Sequence, residues 1–295
     1  MSGSMTALIS AFARAYHAKQ EGIKIFDDWA AQALLGEDYQ TIAGHMKQMA
    51  EFFGGTQETD ALDWVVSQKL APLPLARAGF CEESLKREIC LGASQYVIMA
   101  AGYDSFVWRR PAWAEKLRVF VLDRQEVLED RRTRALKAGL SAKGICEEIP
   151  ADYSQVGWTD RLKENPFFSI GEKSVVSMLG LSFYLDHDKM KRLLSGLSGM
   201  LGEGSCLIFD YLDIGGSEDM RMQGMLARAS GELMHEGYDY DALESMLGEC
   251  GFLIYEHLTP EEQEYQIIGR YNRAHKGMKM HAMPGVNLCM AVRKG

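Results

Sequence analysis

The sequence predicts an α/β fold in which helices cover both faces of a largely parallel β-sheet. From residue 95 onward, short apolar runs alternate with helical patterns, which is typical of strand-helix-strand units. Before residue 95 the apolar residues recur at helical intervals and no convincing strand is found. We therefore expect a helical N-terminal cap over residues 1–91, followed by a sheet domain over residues 92–295.

Composition narrows the class of protein. The chain has 295 residues, of which 47% are hydrophobic, enough for a substantial core. Its formal net charge of -9 argues against a nucleic-acid binder, because phosphate backbones are held mainly by clustered Lys and Arg. No apolar run reaches the roughly 18 residues of a membrane helix, and no secretory pattern opens the chain. We expect a cytoplasmic enzyme acting on a small molecule, without nucleic-acid or membrane partners.

The cap contains three helical patterns. They cover residues 6–19, 27–36 and 75–92, and the last two end on glycines suited to helix termination, Gly36 and Gly92. Each has apolar residues spaced for one buried face. The cap is therefore expected to pack as helices against the sheet domain.

Seven apolar runs are predicted to form the strands of the sheet. They cover residues 96–100, 118–123, 144–149, 174–179, 205–211, 252–257 and 286–294. The last follows a helical stretch instead of a standard crossover, so we expect it to insert antiparallel beside its neighbours. Helical insertions are expected at about residues 212–240 and 259–280.

Metal binding is not predicted. The triplet Asp186, His187 and Asp188 is better explained as a helix N-terminus with an aspartate cap. His275 and His281 are too loosely spaced for a metal site and lack a third ligand. The sequence thus requires no metal.

The turn after the first strand is either an ordinary turn or part of a nucleotide site. Ala100 and Ala101 are small, and Gly102 is free to adopt a cramped conformation, which lets a ligand approach the backbone. Asp123 ends the second strand, 21 positions after Gly102, and can accept hydrogen bonds from a ribose. Asp152 follows the third strand at the same edge of the sheet, where it can accept a hydrogen bond from an adenine amino group. Either acid alone could be a solvated strand end, but together they favour an adenosine site.

Five segments resemble the leucine carboxyl methyltransferase family, which includes bacterial polyketide-type O-methyltransferases. The segments are FDDWAAQALL (26–35), ARAGFCEESL (76–85), VIMAAGYDSFVWR (97–109), VFVLDRQEVLEDRR (119–132) and SMLGLSFYL (177–185). The resemblance implies a class I methyltransferase fold, Rossmann-like, with a helical N-terminal cap and a seven-stranded sheet whose last strand is antiparallel. It also implies S-adenosylmethionine as cofactor and O-methylation of a carboxyl or hydroxyl group of a small molecule.

The resemblance assigns roles to particular positions. Arg77 would pair with the carboxylate of the cofactor, a task that suits a planar, always-charged fork, although it could also be a surface arginine. The methionine portion would lie against the turn, and the ribose and adenine would lie against the ends of the second and third strands. The positions implied for this site are Arg77, Ala100, Ala101, Gly102, Asp104, Asp123, Arg124, Asp152, Tyr153 and Leu179.

Two of these positions depart from the family pattern. Ala100 stands where the family has the first glycine of its turn, and Leu179 stands where the family usually has a glutamate near the methionine end of the cofactor. The change at Leu179 keeps open a non-catalytic S-adenosylmethionine-binding or interaction protein. A nicotinamide-dependent oxidoreductase conflicts with the lone glycine and with the antiparallel last strand.

Catalytic residues are not identified by the sequence. Tyr184 and Tyr211 follow the fourth and fifth strands and could face the acceptor, but a tyrosine at such a position is more often simply a packed aromatic. Tyr16 and His17 lie on the first helix and could act as part of a lid, although a histidine on a helix surface is usually solvated. A carboxylate acceptor would need no base, whereas an alcohol or phenol would benefit from one.

Overall fold

The computed structural model describes residues 4–50, 60–153, 155, 157–214, 234 and 237–295. The strands in chain order are β1 (Gln95–Met99), β2 (Arg118–Asp123), β3 (Cys146–Pro150), β4 (Ser174–Met178), β5 (Cys206–Leu212), β6 (Phe252–Leu258) and β7 (Val286–Arg293). The α-helices are α1 (Met5–Ala18), α2 (Ala31–Leu35), α3 (Asp38–Gln48), α4 (Ala61–Val65), α5 (Pro72–Cys90), α6 (Phe106–Arg109), α7 (Gln125–Lys137), α8 (Trp158–Lys163), α9 (His187–Ser198), α10 (Tyr240–Glu249), α11 (Pro260–Gln263) and α12 (Gly269–Ala274). Single π-helical turns extend α4 (Val66–Leu70) and join α11 to α12 (Glu264–Ile268), and short 3-10 turns cover Ala112–Ala114 and Ser182–Tyr184.

All seven strands form one sheet in the order β3-β2-β1-β4-β5-β7-β6. The pairs from β3 through β5 are parallel, whereas β7 is antiparallel to both β5 and β6. The predicted α/β fold with an antiparallel last strand is thus confirmed. The strand order reverses between β1 and β4, and ligands of open α/β sheets bind beyond the carboxyl ends of the strands at such a point.

Successive residues of the inner strands point to opposite faces of the sheet and pack into two separate apolar cores. Val97 and Met99 of β1 pack into the cluster on one face, together with Phe120 and Leu122 of β2. Their immediate neighbours in each strand belong to the cluster on the other face. This division follows from the period of two in a strand, and burial on both faces explains why these strands appeared as short apolar runs.

The cap is built around its own apolar cluster. Phe12 of α1 and Leu75 of α5 lie in this cluster, and so do Ile268 and Tyr271 from the helices after β6. The second predicted insertion therefore packs against the cap. Much of the first, at about residues 212–240, lies outside the described residues.

Helix bounds differ from the predicted ones mainly inside the cap. Helix α5 begins at Pro72, whose missing N–H is tolerated in the first turn, and it ends before Gly92 as expected. Helices α3 and α4 lie within the predicted helical cap but outside its three individual helical patterns. The Asp186 carboxylate caps α9 by accepting the Lys189 N–H at 2.8 Å, which confirms the helix-start interpretation.

Two further sequence expectations concern metal binding and membrane-spanning helices in the described part of the chain. It contains no group of three or more His, Cys, Asp or Glu side chains placed to hold a metal ion. None of its helices is both long and apolar enough to cross a bilayer.

Candidate cofactor and acceptor site

A cavity of about 570 Å³ lies beyond the carboxyl ends of β1 to β4. Because these strands are parallel, their carboxyl ends meet at one edge of the sheet and bring distant parts of the sequence together. Helices α1 and α5 provide the opposite wall, through residues such as Ser10 and Arg77. The cavity therefore lies between the sheet domain and the cap.

The turn after β1 has a backbone conformation that lets a ligand approach its main chain closely. Ala100 and Gly102 both have positive φ, 47° and 49°. The Gly102 N–H donates to the Asp123 carboxylate at 2.8 Å, and the Ala101 N–H donates to the Leu122 carbonyl at 3.3 Å. A Cβ on Gly102 would lie 3.1 Å from the Ala7 Cβ of α1, so the turn fits closely under the cap.

Asp123 lies at the end of β2 and is 8% exposed. One of its oxygens accepts the Gly102 N–H and the other accepts the Arg124 N–H, each at 2.8 Å. Burial raises the pKa of Asp123, and these two N–H donors only partly offset that effect. Each oxygen keeps a further lone pair, so the side chain can still accept hydrogen bonds from a diol.

The other predicted residues of this edge have different surroundings. Asp152 lines the cavity and is exposed. Arg124 also lines it, but its guanidinium extends along the helix surface toward Glu126, at 3.5 Å. The hydroxyl of Tyr153 is engaged by backbone, because it accepts the Ala100 N–H at 2.9 Å and donates to the Leu122 carbonyl at 3.1 Å.

Asp104 closes the same turn. It lines the cavity, and its side chain accepts the Phe106 N–H at 2.8 Å, which starts α6. Its carbonyl accepts from the Arg131 guanidinium at 2.7 Å, and that arginine is fully buried beneath the turn. The turn is thus fixed from both its cavity side and its core side.

Arg77 lies on α5 with its guanidinium at the cavity wall. It donates to the Asp210 carboxylate at 3.0 Å and to the Ser10 hydroxyl at 3.3 Å. Gly180 lies so close to it that a Cβ there would be 2.6 Å from an Arg77 nitrogen. With five N–H donors, the fork retains capacity for a carboxylate in the cavity.

Asp210 was missed by sequence reasoning. It lies near the end of β5, is fully buried, and also accepts the Gly180 N–H at 2.5 Å. The available signal is the same as for Asp123, an acid near the carboxyl end of a buried strand. Through its ion pair Asp210 orients the Arg77 guanidinium. It also supplies a carboxylate beside Leu179, the position where the family usually has a glutamate.

A second missed group joins the cap to the sheet domain. Asp28, 1% exposed, pairs with Arg14 at 2.8 Å and with Arg109 at 3.2 Å, and it accepts from the Ser105 hydroxyl. Burial would raise the pKa of Asp28, but the two guanidinium groups outweigh it and lower that pKa. Arg109 also pairs with Glu82, whose pKa is raised because burial dominates there. The motif FDDW contained Asp28, but nothing in the sequence identified its partners.

The four acceptor-side candidates are not brought together. Of the four, Tyr184 lines the cavity. The Tyr16 hydroxyl donates to Asp63 at 3.3 Å, and the Tyr211 hydroxyl is 2.8 Å from His257 Nε2; neither tyrosine is among the described residues that line the cavity. His17 is 1% exposed instead of solvated, because α1 turns that face into the cap, where His17 Nε2 accepts the Ile25 N–H at 3.0 Å.

The polar side chains that line the cavity are complementary to the polar groups of S-adenosylmethionine. A buried carboxylate at the end of β2 suits a ribose diol, an exposed carboxylate after β3 suits an adenine amino group, and a guanidinium fork suits an α-carboxylate. The left-handed turn at Ala100 and Gly102 lets a ligand approach the backbone. Leu179, at the β4 end of the cavity, adds an apolar surface.

Comparisons with known proteins identify the family of this chain. A family model described as leucine carboxyl methyltransferase matches residues 7–198. YktD of Bacillus subtilis, whose name describes it as an S-adenosyl-L-methionine-dependent methyltransferase, is 36% identical over 273 residues, which cover 88% of this chain and 89% of the relative.

Solved structures share the fold at low identity. A DUF574 family protein from Streptomyces avermitilis has a TM-score of 0.59 at 11% identity and covers 97% of both chains. A methyltransferase structure from Thermobifida fusca has a TM-score of 0.53 at 17% identity, covering 86% of this chain and 95% of the other. Together with the family match, these findings show that the chain belongs to the leucine carboxyl methyltransferase family and is an S-adenosylmethionine-dependent methyltransferase of class I fold.

Proposed function

We propose that this methyltransferase acts on an oxygen of a small molecule, with a carboxylate oxygen as the first candidate and a hydroxyl oxygen as the second. The family name supports a carboxyl acceptor. The observation that carries the preference is the wall of the cavity, which combines an apolar patch at Leu73 and Phe183 with a cation, Lys189. A carboxylate is already ionised at neutral pH and needs no base.

The acidic side chains of the wall have other partners. Asp28 and Glu82 are ion-paired with Arg109, and both oxygens of Asp123 accept backbone N–H groups. A carboxylate whose pKa is held low by two guanidinium groups is a weak base, which applies to Asp28. Because these carboxylates are engaged in ion pairs and backbone hydrogen bonds, we favour an acceptor that has no proton to remove.

The protein's contribution to transfer is orientation and exclusion of water. S-adenosylmethionine supplies an electrophilic methyl group on a sulfonium, and its transfer consumes positive charge in an in-line displacement. Arg77 would hold the carboxylate of the methionine portion and Asp123 the ribose, one on each side of the sulfonium, which fixes the direction in which the methyl group points. Helices α1 and α5 cover the cavity and limit the entry of water.

The acceptor would lie against the apolar part of the cavity. Leu73 and Phe183 line this part and belong to one apolar cluster, against which Tyr184 packs. Lys189 also lines the cavity, and its Nζ, which pairs with Asp186 at 2.9 Å, keeps further N–H donors for an acidic acceptor. We therefore propose an acceptor that is mainly apolar and carries one carboxylate.

The test is methyl transfer from S-adenosylmethionine labelled in its methyl group to a panel of aliphatic and aromatic acids, matched alcohols and phenols, and amines. A methyl ester releases labelled methanol in mild alkali, whereas a methyl ether keeps its label. We expect alkali-labile product from an apolar acid, and less of it from the Asp123→Ala variant when the cofactor is subsaturating. Label found only in amines would contradict O-methylation. Cofactor binding without transfer to any acceptor would favour the non-catalytic alternative.

A further inference from the structure

Ala100 has a backbone conformation that its side chain disfavours. It is the non-glycine residue with positive φ in the described part of the chain, at 47°. A Cβ in the left-handed region costs roughly 1–2 kcal/mol, so such a residue persists only where its surroundings hold it. Ala100 directly follows β1 and lines the cavity, which places this strained residue in the cofactor turn.

One side chain holds the strained peptide. The hydroxyl of Tyr153 accepts the Ala100 N–H at 2.9 Å and donates to the Leu122 carbonyl at 3.1 Å. The same carbonyl accepts the Ala101 N–H at 3.3 Å. A single hydroxyl after β3 therefore ties the turn after β1 to the end of β2.

Tyr153 is itself fixed in place. Its ring packs edge-on against Trp158 of α8, with centroids 5.3 Å apart and an interplanar angle of 73°. Burial raises the pKa of Tyr153 well above its ordinary value, so its hydroxyl keeps its proton for the Leu122 carbonyl at neutral pH. Both hydrogen bonds are thus available before any ligand binds.

We propose that Tyr153 is a positioning residue that holds Ala100 in its left-handed conformation and so keeps the cofactor turn ready for S-adenosylmethionine. Gly102 lies two residues further along and donates to Asp123. A relaxed Ala100 would move this N–H away from the carboxylate that faces the ribose. The cofactor would then have to order the turn on binding, at the expense of affinity.

Replacing the alanine distinguishes this role from direct contact with adenine. Glycine adopts positive φ without a steric penalty, so it does not need the tyrosine hydroxyl to hold it. A positioning role therefore predicts that Ala100→Gly makes the hydroxyl dispensable. A direct contact predicts that the hydroxyl matters equally in both backgrounds.

The experiment is a double-mutant cycle with four proteins, wild type, Tyr153→Phe, Ala100→Gly and the double variant, titrated calorimetrically with S-adenosylhomocysteine. We expect Tyr153→Phe to weaken binding about five- to tenfold, the scale of one lost hydrogen bond. Ala100→Gly sets the reference affinity of the second background, and the double variant should bind within about twofold of it. Thermal unfolding of each, with Tyr240→Phe as a control at a tyrosine outside the cavity wall, separates affinity from stability.

Ligand-free proteins give a second readout. Amide hydrogen exchange of the peptide covering residues 96–104 should accelerate in Tyr153→Phe and return toward the rate of Ala100→Gly in the double variant. If Tyr153→Phe does not accumulate as folded protein, the double variant should still fold and bind. Equal losses of affinity in both backgrounds, no loss in Tyr153→Phe, or a double variant that also fails to fold would each overturn the proposal. The test depends on cofactor binding alone, so the identity of the acceptor does not affect it.

Discussion

The two halves of the cavity are held in different ways. On the sheet side, Asp123 and Tyr153 engage main-chain groups of the turn after β1. On the side facing the cap, buried acids pair with arginines: Asp28 with Arg14 and Arg109, and Asp210 of β5 with Arg77 of α5. The first half is a backbone arrangement fixed by the strand ends, and the second is a set of ion pairs that joins the cap to the sheet domain. We therefore expect substitutions in the cap half to affect stability first, and those in the sheet half to affect cofactor affinity first.

The largest effect is expected at Asp28. Asp28→Asn removes the charge that Arg14 and Arg109 share inside the protein, and breaking a buried ion pair leaves uncompensated charge. We expect a loss of about 3 kcal/mol in the free energy of unfolding, measured by denaturant titration. The neighbouring Asp27→Asn is the matched control, because Asp27 is 56% exposed and pairs with Lys24 on the surface. Equal effects of the two substitutions would show that the buried pairs do not hold the cap.

A second effect in the cap half depends on pH. Burial, with a smaller contribution from the nearby Lys24, lowers the pKa of His17 from 6.5 to about 4. The unfolded chain therefore binds a proton at His17 that the folded protein excludes, and stability falls as pH decreases from about 6.5 toward 4. The loss at the low end is of the order of 3 kcal/mol.

The check is the free energy of unfolding of wild type and of His17→Gln at several values of pH between 4 and 7. Glutamine does not titrate, so the difference between the proteins should shift in favour of the variant as pH falls. A difference that stays constant over this range would contradict the buried neutral histidine.

The next effect concerns Arg77, which connects the two halves because it lies on α5 of the cap and pairs with Asp210 of β5. Arg77→Lys keeps a positive charge beside the buried Asp210 but removes the planar fork. We expect S-adenosylhomocysteine to bind about tenfold more weakly, with little change in melting temperature. Arg87→Lys, on the same helix and paired with Glu256 at the surface, serves as control. A large fall in melting temperature at unchanged affinity would make Arg77 purely structural.

The smallest effect is expected at Asp123. Asp123→Ala should weaken S-adenosylhomocysteine binding by at least about 1 kcal/mol, roughly fivefold, through loss of a charge-assisted hydrogen bond. Glu126→Ala, a nearby acid that is 53% exposed, should leave the affinity unchanged. Unchanged affinity in Asp123→Ala would refute the ribose role and with it the division between the two halves.

The difference between the halves also explains how far the sequence could be interpreted. The edge formed by Gly102, Asp123 and Asp152 was predictable because strand ends and short turns are local features, and parallel strands bring their ends together. Tyr153 was assigned to adenine, but its hydroxyl contact with Ala100 depends on the exact path of the loop after β3. Local sequence patterns do not determine the path of the loop after β3.

The cap half was harder to predict because its contacts link residues far apart in the chain. Arg77 and Asp210 are separated by 133 positions, and neither position reveals its partner. His17 was expected at a solvated helix surface, but the helices after β6 pack against the cap and help to bury that face of α1. Helix periodicity identifies an apolar stripe and does not show which neighbour covers a polar residue beside it.

The most direct test of the central claim is a crystal structure of the protein with S-adenosylhomocysteine. The account predicts ribose hydroxyls within hydrogen-bond distance of Asp123, the adenine beside Asp152, and the carboxylate of the ligand at Arg77. A ligand bound away from the carboxyl ends of β1 to β3, with Asp123 and Arg77 making no contact with it, would contradict the account.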